Sequence, residues 1–124
     1  MFAAVLAPPQ TLRVDLDADH HLDTVLLTQT RKQIEVKVTY VNRSMPPADF
    51  HFAVDPHRED AVCAVPVHLK RETLDYDLSQ ALGAPVKGFV RSAHLYGFAV
   101  VDETCDSLHF YWNHATHRVQ YWRL

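Results

Sequence analysis

The segment Asp15-Leu16-Asp17-Ala18-Asp19-His20-His21-Leu22-Asp23 holds four carboxylates and two imidazoles in nine positions, a dense run of potential ligands. Alternating aspartates invite a calcium-loop reading, but an EF-hand needs Gly at its sixth position and Glu at its twelfth. Those positions here are His20 and Leu26, so that reading fails. Imidazoles beside carboxylates suit a transition metal. Neighbours on an extended chain, however, point to opposite faces, which separates His20 from His21. Asp15, Asp17 and Asp19 fall opposite Leu12, Val14 and Leu16, as they would on a strand's wet face running into a polar turn.

A second group is His109, His114 and His117, with the spacing HxxxxHxxH. Zinc sites on helices place two His four apart on one face, and this spacing does not. Read as a hairpin with His114-Ala115 at its tip, Trp112 pairs with His117 and Phe110 with Val119. Leu108, Phe110, Trp112, His117, Val119 and Tyr121 then share one face, while His109 points the other way. The three imidazoles do not converge in that register. The metal candidates are therefore His20, His21, His109, His114 and His117, and the expectation is that no metal and no other cofactor is held.

Catalytic motifs are equally sparse. Neither Cys63 nor Cys105 sits in a nucleophile motif, and there is no GxSxG. His114-Ala115-Thr116 matches one half of a phosphoesterase pattern that needs two such halves, an acid and a base. Three glycines in total leave little for a phosphate-cradling loop, and neither GxxxxGK[ST] nor GxGxxG occurs. No motif specifies a reaction.

Charge and aromatic residues are more informative. No Lys or Arg separates Arg13 from Arg31, a stretch with four Asp, and Asp55 belongs to a further acidic loop. Such patches steer basic partners. Phe110, Tyr111, Trp112, Tyr121 and Trp122 all lie in the last 15 residues. A two-faced hairpin buries Tyr111 and Trp122 together with Phe110 and Trp112 only if something covers each face. A partner or a second copy of the chain would serve, and exposed Tyr and Trp are frequent interface anchors.

These side chains must be held by the rest of a 124-residue chain, enough for one domain over residues 1–124. With 12 basic and 15 acidic residues the net charge is −3, which argues against a broad nucleic-acid-binding face. Fifteen Val against one Ile, and eight Arg against four Lys, suggest a GC-rich bacterial or phage genome. No apolar run approaches the ~20 residues of a membrane span. Met1 to Pro9 lacks the basic start of a secretory signal, and residues 1–10 are expected to be disordered. The expected compartment is the cytoplasm, with Cys63 and Cys105 as separate thiols.

Period-2 alternation at Thr11–Asp17 and Gln33–Val41 predicts antiparallel strands with one wet face. Thr24–Gln29 reads as a strand between them, and Asn42–Asp49 as the main loop. Further strands are expected at Phe50–Val54, Ala61–Leu69, Gly88–Arg91 and His94–Asp102, the last in a central position. Leu108–Asn113 and His117–Arg123 form the closing hairpin. One helix is expected at about 73–83, with Thr73 as N-cap, Asp75 and Asp77 in its first turn, and Leu74, Leu78, Ala81 and Leu82 on its apolar face. Gly83 and Pro85 stop it.

The predicted class is α+β, mainly antiparallel β as a meander, roll or small barrel, with that one helix. The predicted function is a small binding module of the inhibitor or immunity type. Its partner surface comprises Asp15, Asp17, Asp19, Asp23, Asp55, Tyr111 and Trp122, facing a protein with a basic surface. The alternatives are a His-dependent, metal-assisted hydrolase or isomerase, and an oligomeric accessory protein.

Overall fold

The computed structural model describes residues 7–124. β1 (Gln10–Val14), β2 (Asp23–Gln29), β3 (Gln33–Thr39) and β4 (Ala48–Ala53) form one antiparallel sheet in chain order. β5 (His68–Leu74), β6 (Ser92–Val101), β7 (Leu108–Asn113) and β8 (Arg118–Trp122) form a second. The alternation read from the sequence explains the first sheet. Ile34, Val36, Val38 and Tyr40 are all buried, while Lys37 and Thr39 face out. The inner faces meet in a common core that joins Val25, Leu27 and Val36 to Phe98, Val100 and Phe110. Phe98 and Phe110 stack there with ring centroids 4.6 Å apart.

The architecture is mainly antiparallel β, as expected, and the α+β label narrows to that because so little of the chain is helical. α1 covers only Leu78–Leu82. Thr73 and Leu74 complete β5, opposite Tyr96 and Ser92, and are not the start of a helix. Asp77 is the N-cap, its carboxylate accepting from Gln80 N, and Gly83 ends the helix in the left-handed region at φ 77°. Leu74 and Leu78 share a helical spacing because the strand end and the helix bury into the same small cluster. Leu82 is 42% exposed.

Other boundaries also move. Only His68 and Leu69 of the expected Ala61–Leu69 strand join β5, and the preceding segment runs irregularly through a cis Val65–Pro66 bond. Residues 88–91 form no strand. That stretch is tied to the β7–β8 turn by His114 N donating to Gly88 O (2.8 Å) and Asn113 Nδ2 to Lys87 O (2.8 Å). Gly88 adopts φ 90°, and a Cβ there would collide with the Asn113 side chain, so only glycine fits. Of the expected disordered N-terminus, residues 1–6 lie outside the described residues and Gln10 opens β1.

The expectation of two free thiols is corrected as well. Cys63 and Cys105 form a disulfide with Cα atoms 5.9 Å apart. One buried carboxylate holds both ends. Asp102 accepts from Cys63 N (2.7 Å), Thr104 N (3.0 Å) and Cys105 N (3.3 Å). Among the described residues no helix is long and apolar enough to cross a membrane.

Candidate functional site

The acidic run forms the loop between β1 and β2. Asp15 accepts from Asp19 N (3.2 Å) and His20 N (2.9 Å), and Asp19 accepts from His21 N (2.9 Å). These local bonds turn the chain through Ala18 and His20, both at positive φ (61° and 66°). As a result one carboxylate oxygen from each of Asp15, Asp17 and Asp19 lies within 4.8 Å of the others. The strand-face reading had these three spread along a wet face running into a polar turn, and the turn gathers them instead.

Asp23 is not part of that surface. It is fully buried, and its two oxygens accept from Leu16 N and Val41 N, both at 3.1 Å. It therefore locks the acidic loop to the loop that follows β3. Burial raises its pKa, offset in part by those two backbone donors. Asp17 is raised further, to about 7, first by burial and then by the negative charge of Asp23. One of its oxygens is enclosed without a hydrogen-bond partner. Asp19 shifts down, chiefly because His21 N–H stabilises its charged form. Beside this loop Leu22 (49%) and Val41 (50%) are exposed apolar side chains. A groove of about 650 Å³ lined by Tyr40, Met45, Pro47, Phe50 and Arg118 continues the surface towards the β7–β8 turn.

Asp55 lies at the other end of the first sheet. It follows β4, and its neighbour Val54 donates to Lys32 O in the β2–β3 turn. The seven residues of β2 separate the two ends by roughly 20 Å. Asp55 and the 15–19 loop are not one patch.

The aromatic expectation divides. Tyr111, expected on the partner surface, is buried at 3% exposure. Its outer face is covered by the chain itself. Leu78 of α1, with Val86 and Phe89 of the β5–β6 connection, packs over it, with Phe89 edge-on at 5.1 Å. Trp122 is half-buried on the same outer face, where its indole N–H donates to the Tyr76 hydroxyl (3.0 Å). His109 stacks on Trp122 at 4.4 Å and holds its Nδ1 3.0 Å from Glu72 Oε1.

The other candidate imidazoles lie elsewhere. His20 and His21 are exposed on the acidic loop. His114 and His117 belong to the β7–β8 turn, His117 at φ 54° with its N–H donating to Asn113 O (2.8 Å). The hairpin register is two residues off the expected one. Trp112 faces Val119 and Phe110 faces Tyr121. His109 points away from the inner face as expected, and the structure does not bring it together with His114 and His117. Glu72, its partner, was not a candidate; it lies 37 residues away, and no local pattern links the two.

Comparison with known proteins finds no matching family model, no matching curated protein and no matching solved structure.

Proposed function

We propose that this chain is a protein-binding module of the inhibitor or immunity type, and that its recognition surface is the loop end of the first sheet. The observation that carries this reading is Asp23, which ties the acidic loop to the loop after β3 from beneath. Asp15, Asp17 and Asp19 are thereby presented beside the exposed Leu22 and Val41 with little ordering left to do on binding. A surface acidic on one side and apolar on the other suits a basic partner with an apolar contact. Asp23 and Tyr111 drop out of the binding set, being buried, and Asp55 and Trp122 lie apart from it.

The test is charge reversal at Asp15 and Asp19, which leaves Asp23 intact. With a partner recovered by cross-linking, Asp15→Lys with Asp19→Lys should slow association about tenfold or more and flatten its salt dependence. An association rate equal to wild type would remove the loop end from the interface.

A second reading is favoured by one observation, the imidazole of His109 oriented by Glu72 on a partly exposed face. That is the arrangement of a general base held by a carboxylate. It supports a hydrolase or isomerase, and loss of a measured activity in Glu72→Gln with retained fold would place it ahead. The oligomer reading loses ground, because the chain's own connection covers the aromatic face assigned to a second copy. As for compartment, the bonded cysteines support an oxidising location over the cytoplasm.

A further inference from the structure

We propose that Glu35, Asp49 and His51, on the solvent face of β3 and β4, bind a divalent transition ion of the zinc type. Strand register assembles them. Glu35 lies directly opposite His51, and Asp49 precedes His51 by two residues on one strand, so all three side chains leave the same face. His51 Nε2 is 3.3 Å from Glu35 Oε2 and 3.4 Å from Asp49 Oδ1. A charge-assisted hydrogen bond would close to about 2.7–2.9 Å. The imidazole instead sits between two carboxylates without closing on either.

Those distances have a direct meaning for coordination. Zinc bonds of 2.0–2.1 Å in a tetrahedron put neighbouring ligand atoms about 3.3–3.4 Å apart. Two of the three edges therefore already match, and the donor atoms of all three residues lie within 4.8 Å of one another. The third edge, between the two carboxylates, is the one that ion binding would have to draw in. Two carboxylates and a neutral imidazole supply two negative charges and a borderline donor, a set suited to zinc, manganese or iron. Side-chain exposures of 55% for His51, 35% for Glu35 and 46% for Asp49 leave an entry path and an open fourth position. Lys37, opposite Asp49 on the same face, is the competing cation. The site is independent of the loop-end reading, and His51 is not among the histidines singled out by sequence spacing.

The experiment is calorimetric titration of the tag-free full chain with zinc chloride, with cobalt absorption as a second readout. One saturable site is expected, with the visible spectrum of tetrahedral cobalt. His51→Ala should abolish it, Glu35→Gln should weaken it about tenfold or more, and Lys37→Ala should tighten it. All three side chains are solvent-facing, so the melting midpoint without metal should not change in these variants. Absence of saturable binding overturns the proposal. So does zinc binding that survives His51→Ala, which would put the ion on other histidines.

Discussion

The carboxamide of Gln29 replaces a missing strand at Val67. Its Oε1 accepts from Val67 N (2.8 Å) and its Nε2 donates to Val67 O (2.9 Å), with the side chain 2% exposed. Gln10 repeats the device at the same place, accepting from Leu69 N (2.9 Å) and donating to Val67 O (3.0 Å). Two side chains thus satisfy the backbone where the segment after the cis proline crosses from one sheet to the other. Gln29→Ala leaves a buried N–H without a partner and a carbonyl with one fewer. Each such loss costs about 1–3 kcal/mol, so denaturant unfolding should show a loss of roughly 2–4 kcal/mol. Gln10→Ala, at a less buried site, should cost less. Equal small losses in both would mean that water replaces the carboxamides.

The Cys63–Cys105 bond closes a loop of 42 positions. Chain entropy alone assigns about 4 kcal/mol to a cross-link of that span. Reduction, or Cys63→Ser with Cys105→Ser, should lower the unfolding free energy by roughly 2–4 kcal/mol. The measurement is the urea midpoint with and without reductant. A midpoint that does not move would show that Asp102 and its three backbone donors hold the two segments together without the bond.

Much of the first sheet was legible because one-sided burial writes itself into alternation, and β3 follows that pattern from Ile34 on, with Tyr40 continuing it just past the strand end. The facing of β7 and β8 was legible even though their register was not. A slip of two residues preserves which side chains point inward, and a slip of one does not. The longer turn arises because Asn113 Oδ1 captures the N–H groups of Ala115 (2.8 Å) and Thr116 (3.1 Å). Asp23 was misread because a buried carboxylate that serves two backbone donors looks, in sequence, like one more acid in a polar run. The Cys63–Cys105, Glu72–His109 and Glu35–His51 pairs are set by tertiary register, and no local spacing encodes them.

α1 offers a paired test of the corrected helix. Leu78 is 2% exposed against Leu74 and Tyr111, whereas Leu82 is 42% exposed. Leu78→Ala should cost about 2–5 kcal/mol, the range for truncating a buried leucine. Leu82→Ala should stay within about 0.5 kcal/mol. Comparable losses at both positions would restore the longer helix with Leu82 on its buried face.

Asp17 makes stability fall as pH rises. Its folded pKa is about 7 against an ordinary 3.8, because burial and the charge of Asp23 oppose ionisation. Below the ordinary value both states are protonated and nothing is lost. Between the two values the folded state holds a proton that the unfolded chain has released, so unfolding free energy declines with pH. Above about 7 the decline is complete. The raised pKa of Asp23 acts in the same direction, and the lowered one of Asp19 acts against it. Asp17→Asn removes the ionisation, so its advantage over wild type in urea unfolding should grow from pH 4.5 to pH 8. Parallel curves for the two proteins would show that Asp17 titrates as an ordinary carboxylate. The same proton sets the charge of the loop end. As pH passes through about 7 the loop becomes more negative, so association with a basic partner should quicken over the interval in which the wild-type fold weakens.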